Sequence, residues 1–457
     1  MRVTVIGSQV FCVRIDSDVL DWRTDYNRLT YTPVEPPPGI EQSLHRYLDC
    51  FGLVFGAFDF CVGEDGQWWF LECNPSDQWY WLEDFVTDQA QLHQQLIDSM
   101  TANGSLRTEP WKRAVEIVAR HEFLRTGFFR RVDGAVPSAW APVLGGDAGW
   151  LEASYEDESL VTQIAGTVMP ADIRGQIMRT PTSSSTLPSL VVPMLEDLWV
   201  EPESKVLEIG TGTGYSTAVL CARLSKEYVT SIEYDEEVAA RARTALGRRG
   251  MYPTLVSGDG LLGYADGAPY DRVIATSGVR TVPAAWIEQT RPGGLILATI
   301  GGWLGSSELA RLTVHGDGTA TGPLLNGQVS FMLARPHMPP ALGLLPDLSE
   351  GKEREAIIGT DALNDWTSRF VVQLAAPHAH RLTMERDGRT EHVLVDVESG
   401  SWAALYEEDG RCIVRQDGPD ALWDAVEEQL GRWRAACTPA LEEFTVSVTP
   451  QGQTINW

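Results

Sequence analysis

The sequence predicts an α/β fold in which a parallel sheet with helical crossovers occupies the middle of the chain. Two features indicate it: strand-like apolar runs alternate with helical segments within residues 101–340, and a glycine-rich turn links one such run to a helix. The chain has 457 residues, more than one hydrophobic core usually organises. We therefore expect three domains, at residues 1–100, 101–340 and 341–457.

The middle segment begins with a predicted helix at residues 111–124 and then alternates strands with helices. The predicted elements that follow are strand 205–209, helix 216–224, strand 228–232, helix 236–249, and strands 253–257, 271–275 and 295–300. A last pair of strands, 310–314 and 329–334, is separated by a glycine-rich loop, so the sheet is expected to end antiparallel.

The two flanking segments predict smaller α+β units. In the first, a hairpin is expected from strands 54–62 and 67–72, because Glu64-Asp65-Gly66 between them is a turn sequence of the Asp-Gly kind. In the last, the predicted elements are strands 370–374, 392–397 and 412–415, a helix at 419–436 and a final strand at 444–449.

Composition argues against several classes of function. The formal net charge of −27 and the pI near 4.6 oppose a nucleic-acid partner, whose phosphates would need Lys and Arg to neutralise them. The seven cysteines are scattered and form no CxxC pair, which argues against a disulfide framework or a structural zinc site. No apolar run approaches the ~20 residues of a membrane helix, and no secretion signal is present. The protein is therefore expected to be cytoplasmic.

A glycine-rich turn is the strongest candidate for a ligand site. The apolar strand Val206-Leu207-Glu208-Ile209 runs directly into Gly210-Thr211-Gly212-Thr213-Gly214, and Tyr215 opens the next helix. Glycines let the backbone pass close to a ligand and bring the free N–H groups of the helix N-terminus toward it. Taken alone, the turn indicates a nucleotide-like ligand, with a tight structural turn as the alternative.

Two acidic residues downstream of the turn strengthen the ligand interpretation. Glu233 ends the next strand roughly 20 residues on, where an acidic side chain can accept hydrogen bonds from two ribose hydroxyls. Asp259, in Ser257-Gly258-Asp259-Gly260 after the third strand, is placed to accept one from an adenine amino group. Either acid alone would suggest a solvated surface carboxylate, but in this order the two predict one continuous site.

These residues resemble the protein L-isoaspartate O-methyltransferases. The resemblance covers about residues 110–336 and rests on the glycine turn, on residues 257–260, on Tyr270-Asp271-Arg272-Val273-Ile274-Ala275-Thr276 and on Arg291-Pro292-Gly293-Gly294. It implies a Rossmann-like, seven-stranded class I methyltransferase fold and S-adenosylmethionine as cofactor. The residues that it assigns to cofactor binding are Glu208, Gly210, Thr211, Gly212, Thr213, Gly214, Tyr215, Glu233, Asp259, Gly260 and Thr276.

A Ser- and Thr-rich run upstream of the turn is the candidate acceptor element. In the resembled family a Thr-Ile-Ser element before a proline lies beside the substrate carboxylate, and alignment on Pro188 implies catalytic roles here for Ser184, Ser185 and Thr186. Thr186 stands where serine is usual and Ser183 where glutamine is usual, which argues against ordinary repair specificity. A loop with a helix cap is the alternative interpretation.

The acceptor is predicted to be an Asp or isoaspartyl carboxylate of a peptide or protein. Methyl transfer is an in-line displacement, so the enzyme mainly has to align and desolvate the acceptor, and an ionised carboxylate needs no general base. We therefore expect no catalytic triad, and His121 is predicted to lie on a helix surface.

The first hundred residues resemble the C-terminal lobe of ATP-grasp ligases that cyclise ribosomal peptides. The resemblance rests on Phe58-Asp59-Phe60, on Phe70-Leu71-Glu72-Cys73-Asn74-Pro75 and on Gln78-Trp79, and it implies Asp59, Glu72 and Asn74 as magnesium ligands. We expect these ligands to be vestigial, because the first lobe of such a ligase is missing and residues 51–100 contain no Lys or Arg to balance a triphosphate.

Together the two resemblances imply a methyltransferase of graspetide biosynthesis. It would methylate an Asp side chain of a precursor peptide cyclised by a separate ATP-grasp ligase, after which the neighbouring amide displaces methanol to give an aspartimide. Two alternatives stay open: repair of isoaspartyl residues in damaged proteins, and a non-catalytic scaffold that binds the precursor and its ligase.

The C-terminal domain is expected to recognise the substrate through aromatic surface. Its tryptophans are Trp366, Trp402, Trp423, Trp433 and Trp457. Aromatic side chains often anchor a bound peptide, although the helical spacing of Trp423 and Trp433 also fits core positions.

Overall fold

The described residues at the start of the chain form an antiparallel sheet of five strands. The computed structural model describes residues 1–6, 9–17, 29–51, 53, 55–63, 65–74, 80–325, 327–386 and 388–457. The first elements are β1 (Arg2–Ile6), β2 (Gln9–Ser17), β3 (Leu29–Pro33), α1 (Pro38–Phe51), β4 (Phe55–Val62) and β5 (Trp68–Asn74). The strands lie in the order β3-β2-β1-β4-β5, with Val3, Val5 and Phe58 packed against Leu44 and Leu48 of α1. The predicted hairpin is confirmed as β4 and β5.

Helices and a small sheet lead into the central part. They are α2 (Tyr80–Ala102), α3 (Glu109–Ile117), β6 (Phe128–Arg131), β7 (Trp140–Val143), α4 (Trp150–Tyr155), β8 (Leu160–Ile164), β9 (Pro181–Ser185) and α5 (Pro188–Asp197). The strands pair in the order β7-β6-β8-β9, and sequence analysis did not predict this sheet. The prediction of one helix over 111–124 is wrong, because α3 ends at Ile117 and a separate 3-10 turn forms at Arg120–Phe123. Val118 between them is extended, as β-branched residues favour.

A sheet of nine described strands forms the centre of the structure. Its first elements are β10 (Val206–Ile209), α6 (Tyr215–Leu224), β11 (Val229–Glu233), α7 (Glu236–Arg248), β12 (Thr254–Ser257), β13 (Tyr270–Val279), α8 (Ala284–Glu288), β14 (Thr290–Gly301), β15 (Ser307–Val314) and β16 (Ala320–Leu325). Strands β12-β11-β10-β13-β14 are parallel and lie in that order, and antiparallel β15 and β16 follow. The direction of strand addition reverses at β10, and open α/β sheets bind ligands in the crevice at such a point.

The C-terminal segment adds a second antiparallel sheet and completes the central one. Its elements are β17 (Lys352–Glu355), α9 (Trp366–Ala375), β18 (Ala379–Arg386), β19 (Arg389–Asp396), β20 (Trp402–Glu408), β21 (Arg411–Asp417), α10 (Leu422–Ala435), β22 (Thr445–Thr449) and β23 (Gly452–Asn456). Strand β22 pairs with β16, and β23 pairs with β22. Residues 101–340 thus contribute seven of the nine strands, β10 to β16, and the C-terminal hairpin extends the sheet by covering the edge that β16 would otherwise expose.

Two predicted strands of these regions are also wrong. Residues 370–374 lie inside α9, whose first turn is capped by the Asp365 carboxylate accepting the Ser368 N–H at 2.8 Å; a short apolar run alone cannot distinguish a strand from a buried helix. Residues 329–334 do not pair with β15, whose partner is β16. Strand β16 pairs with β15 instead, because it is nearer in the chain and closes a shorter loop at a lower cost in chain entropy.

The C-terminal elements share one hydrophobic core with the central sheet. Phe370, Trp423 and Val446 pack in the same cluster as Val273 and Ile296 of β13 and β14. Trp402, Trp423 and Trp433 are 2%, 0% and 9% exposed, so the expected aromatic surface is wrong for Trp402, and the alternative of core positions is confirmed for Trp423 and Trp433. Among the helices of the described ranges, none combines the length and the apolar character needed to cross a membrane.

Candidate functional site

A cavity of about 540 Å³ opens at the carboxyl ends of β10, β11 and β13. Its walls also include the end of β9 and a segment, residues 329–336, that we call the strap; residues 330–336 of it line the cavity. The cavity brings together most of the predicted site residues: Ser184, Ser185, Thr186, Gly210, Thr211, Gly212, Thr213, Tyr215, Glu233, Asp259, Gly260 and Thr276.

The glycine turn has the backbone conformation that its composition predicts. Gly210 and Gly212 have φ values of 98° and 55°, in the left-handed region that residues with a Cβ rarely adopt. A Cβ on Gly210 would lie 2.8 Å from the Thr276 hydroxyl, which donates a hydrogen bond of 2.6 Å to the Gly210 carbonyl. The turn therefore lies against β13, and no larger side chain fits at its start.

Glu233 is held rigidly at the end of β11. Its carboxylate accepts the Gly212 N–H at 2.8 Å and the Asp235 N–H at 3.1 Å. Burial raises the pKa of Glu233 above its ordinary value, while these two donors partly offset that effect. The carboxylate lines the cavity beside the turn, an arrangement suited to binding vicinal hydroxyls.

Asp259 follows β12 and begins a short 3-10 turn. Its carboxylate accepts the Leu261 N–H at 2.9 Å, and the neighbouring Gly260 carbonyl accepts the indole N–H of Trp286 at 2.8 Å. A Cβ on Gly260 would lie 2.5 Å from the Ile209 side chain. The Asp259 carboxylate is therefore fixed at the cavity wall, at the end of the strand next to the one that ends at Glu233.

Glu208 and Gly214, which the resemblance assigns to cofactor binding, are not among the described residues that line the cavity. Glu208 is fully buried behind the turn, where its carboxylate accepts hydrogen bonds from Ser216, Thr217 and Ser231 at 2.5, 2.5 and 2.7 Å. Burial raises its pKa. The side chain thus ties β10 to the start of α6 and to β11. Gly214 faces α7 instead, because a Cβ there would lie 3.4 Å from Leu246.

The Ser/Thr element forms the opposite wall of the cavity. Ser184 and Ser185 end β9, and Thr186 leads to Pro188 at the start of α5. The Ser184 carbonyl oxygen would lie 3.3 Å from a Cβ placed on Gly212, so this element and the glycine turn face each other across a short gap. Hydroxyl donors on this wall can orient a carboxylate without neutralising it.

Arg120 supports this wall from behind, a role that sequence analysis did not identify. The guanidinium is fully buried and donates to the carbonyls of Glu158 at 2.7 Å, Glu156 at 2.8 Å and Ser185 at 3.1 Å. A further contact of 3.3 Å reaches the Thr186 carbonyl. Desolvation lowers its pKa to about 10, so the group remains a cation near neutral pH. The Ser154 carbonyl, also at 3.3 Å, is the fifth acceptor, and a lone arginine in the sequence carries no signal that five carbonyls will surround it.

His121 is a buried residue, so its predicted place on a helix surface is wrong. It is 1% exposed, with Nδ1 at 2.7 Å from the Tyr155 hydroxyl and Nε2 at 3.4 Å from the Glu122 carboxylate. The 3-10 turn packs inward here because α3 has already ended. Desolvation lowers the pKa of His121, and the ring does not line the cavity.

Of the magnesium ligands that the ligase resemblance implies, Asp59 is already engaged in an ion pair. Both oxygens of Asp59 accept hydrogen bonds from Arg2, at 2.8 and 2.6 Å, in a buried ion pair. Glu72 lies opposite Asp59 in the sheet and is exposed, and nothing is described of the Asn74 side chain. Residues Pro75, Gln78 and Trp79 lie outside the described residues. In the described part of the chain, no group of three or more His, Cys, Asp or Glu could hold a metal.

One protein-family model matches the central part of this chain, and curated proteins are similar to part of it. The family model for protein-L-isoaspartate(D-aspartate) O-methyltransferase matches residues 157–329. A protein-L-isoaspartate O-methyltransferase of Dictyoglomus thermophilum is 36% identical over 170 residues, covering 37% of this chain and 68% of that protein. One of Myxococcus xanthus is 38% identical over 126 residues, covering 27% of this chain and 58% of that protein.

The similarity covers only part of the curated relatives, and a solved structure aligns with most of this chain. The chain spans 53–62% of the length of the first three curated relatives. A solved protein-L-isoaspartate O-methyltransferase aligns over 80% of this chain and 99% of its own, with 22% identity and a TM-score of 0.46.

Proposed function

This chain belongs to the protein-L-isoaspartate O-methyltransferase family, and we propose that it transfers a methyl group from S-adenosylmethionine to a carboxylate of a peptide or protein. The observation that carries the proposal is a single cavity in which the glycine turn and the Ser/Thr element face each other. Ser184 and Gly212 mark the narrow gap between them. Direct transfer between two bound molecules requires this proximity.

The residues of one half of the cavity fit S-adenosylmethionine. Glu233 would hold the ribose hydroxyls, Asp259 would accept the adenine amino group, and the glycine turn leaves room for the ligand to pass close to the backbone. When bound, this cofactor supplies a methyl group on a positively charged sulfur. Glu208 and Thr276 would act indirectly, by holding the turn in place.

The other half of the cavity suits an acceptor that needs no general base. Among the described residues that line it there is no histidine or lysine. Ser184 and Thr186 would orient a carboxylate through their hydroxyls, and the buried cation of Arg120 behind Ser185 favours a negative charge on that side. The remaining requirement is exclusion of water, which the strap over the cavity would assist.

We further propose that the acceptor is an Asp side chain of a ribosomal peptide already cyclised by a separate ATP-grasp ligase in the cytoplasm. The resemblance of residues 1–100 to such a ligase supports this, as do Thr186 and Ser183 in place of the residues usual for repair. Methylation gives an ester; the neighbouring backbone nitrogen then attacks the ester carbonyl and methanol leaves. The product is an aspartimide, one water lighter than the starting peptide.

Repair of isoaspartyl residues in damaged proteins is the second candidate. It is favoured by the family to which the chain belongs and by a hydroxyl-lined element ahead of Pro188. A ring-closed peptide and an isoaspartyl peptide both present a carboxylate, so the cavity geometry alone is compatible with each.

Mass spectrometry of the purified full chain with S-adenosylmethionine separates these functions. The two acceptors are an isoaspartyl peptide and a precursor cyclised by a ligase from the same gene neighbourhood, each with a control in which Asn replaces the acceptor residue. Gain of one methyl on the cyclised precursor, followed by net loss of water, supports peptide tailoring. Methylation of the isoaspartyl peptide alone supports repair, and no methylation of either, with no binding of S-adenosylhomocysteine, contradicts the methyltransferase proposal.

A further inference from the structure

The strap is anchored at both ends. At its start, the Ser307 hydroxyl donates to the Val329 carbonyl at 2.7 Å, and the buried Glu308 carboxylate accepts the Gln328 N–H at 2.9 Å. In its middle, the Gly278 N–H donates to the Met332 carbonyl at 2.8 Å. Its far end is held by a side chain, that of Arg335, which lines the cavity.

One nitrogen of Arg335 contacts two residues, Asp235 and Gln163, that do not line the cavity themselves but adjoin its two halves. Its Nη2 donates to Asp235 Oδ2 and to Gln163 Oε1, each at 2.9 Å. The guanidinium also lies over the ring of Tyr234, 5.3 Å from the ring centroid. Gln163 Nε2 closes the triangle by donating to Asp235 Oδ2 at 3.2 Å. These contacts connect three separate walls: the strap, the end of β11 and strand β8.

Asp235 connects this triangle to the cofactor half. Its backbone N–H donates to Glu233 at 3.1 Å, and its Oδ1 accepts the N–H groups of Glu237 and Val238 at 3.0 and 3.1 Å to cap α7. With Oδ1 used for the cap and Oδ2 for Arg335 and Gln163, the turn that links Glu233 at the end of β11 to α7 is fixed in place.

Gln163 connects the same triangle to the acceptor half. Its Oε1 accepts the Thr182 hydroxyl at 2.9 Å, and the residue pairs with Ser183 in the ladder between β8 and β9. The next residues of β9 are Ser184 and Ser185 of the acceptor element. A shift of Gln163 would therefore move this wall relative to the glycine turn.

We propose that Arg335 is a positioning residue that couples occupation of the cofactor half to the geometry of the acceptor half. This inference rests on the proposed function. A ligand that stabilises Glu233 and the turn after it also stabilises the triangle of Asp235, Arg335 and Gln163. The triangle in turn holds the acceptor wall. Coupling of two sites through a shared element is reciprocal, and typical couplings change affinity 5- to 150-fold.

The test compares Arg335→Ala, Arg335→Lys and a matched control in the full chain. Arg354→Ala is the control, because Arg354 also forms ion pairs, with Glu427 at 2.7 Å and with Asp424, and its side chain is 33% exposed against 31% for Arg335. Calorimetry with S-adenosylhomocysteine should show about tenfold weaker binding for Arg335→Ala. Arg335→Lys should restore most of the affinity, Arg354→Ala should match the wild type, and Asp235→Asn should add little to Arg335→Ala.

Hydrogen exchange of residues 181–186 then tests the coupling itself. At saturating S-adenosylhomocysteine, exchange in this stretch should slow in the wild type, in Arg335→Lys and in Arg354→Ala, but not in Arg335→Ala. If the wild type binds and Arg335→Ala shows the same affinity and the same protection from exchange, the inference is overturned and the proposed function is left intact. Failure of the wild type to bind would overturn both.

Discussion

Arg120→Met tests whether one buried guanidinium holds the acceptor wall from behind. The variant keeps an apolar stem of similar length but has no donor for the surrounding carbonyls. The two shortest contacts, 2.7 Å to Glu158 and 2.8 Å to Glu156, are charge-assisted hydrogen bonds, and such bonds contribute about 1.5–3 kcal/mol each. Losing both should lower the free energy of unfolding by about 3–6 kcal/mol, which is a large part of the stability of a typical domain.

Urea unfolding followed by circular dichroism measures this loss. Arg113→Met is the matched control, because Arg113 lies on α3 with 71% of its side chain exposed and pairs with Glu109 at 3.2 Å; such pairs contribute less than about 1 kcal/mol. Arg120→Lys, with three donors in place of five, should fall between the two. If Arg120→Met unfolds within about 1 kcal/mol of the control, the carbonyl cluster does not depend on the guanidinium and the reasoning is refuted.

Three further predictions concern carboxylates. Glu233→Gln should weaken S-adenosylhomocysteine binding at least about tenfold in calorimetry, because the amide cannot accept from all of its partners; a change below about twofold would show that the ribose contact lies elsewhere. Asp59→Asn should lower the melting temperature by disrupting the buried pair with Arg2 yet leave turnover unchanged, and lost turnover in folded protein would contradict this. Burial raises the pKa of Glu208 above its ordinary 4.5, so the folded state favours its protonated form and the stability that Glu208 contributes declines as pH rises from 4.5 through the raised pKa. Glu208→Gln should lack that decline. Parallel urea titrations of variant and wild type, at this pH and at neutral pH, measure it, and an equal decline in both proteins would refute the prediction.

The cofactor half of the cavity was predictable because its signals are local. The strand before Gly210, the turn itself and Glu233 at the next strand end all belong to one β–α–β unit, in which sequence spacing directly determines spatial arrangement. Glu208 was assigned to cofactor binding through the family resemblance, whereas its side chain is fully buried behind the turn. Alternation along a strand buried on both faces does not reveal which way a polar side chain points.

The acceptor half was only partly predictable because its contacts are distant in sequence. Arg120 reaches Ser185 across 65 residues, and Arg335 reaches Gln163 across 172. The strap has the composition of a strand. Residues 320–325 occupy the edge of β15, however, so the strap crosses the cavity instead of pairing there. Pairing choices of this kind depend on loop closure and on the whole sheet rather than on local periodicity.

The C-terminal segment is connected to the site through the central sheet. Strand β22 pairs with β16, β16 with β15, and β15 carries Ser307 and Glu308, which anchor the start of the strap. At the other end of the strap, the His337 carbonyl accepts the indole N–H of Trp303 at 2.9 Å. Because Trp423 and Val446 share a core with β13 and β14, removing this segment would expose apolar surface directly beneath the cavity walls. We therefore expect residues 341–457 to help maintain the geometry of the cavity, and substrate recognition by this segment stays a prediction.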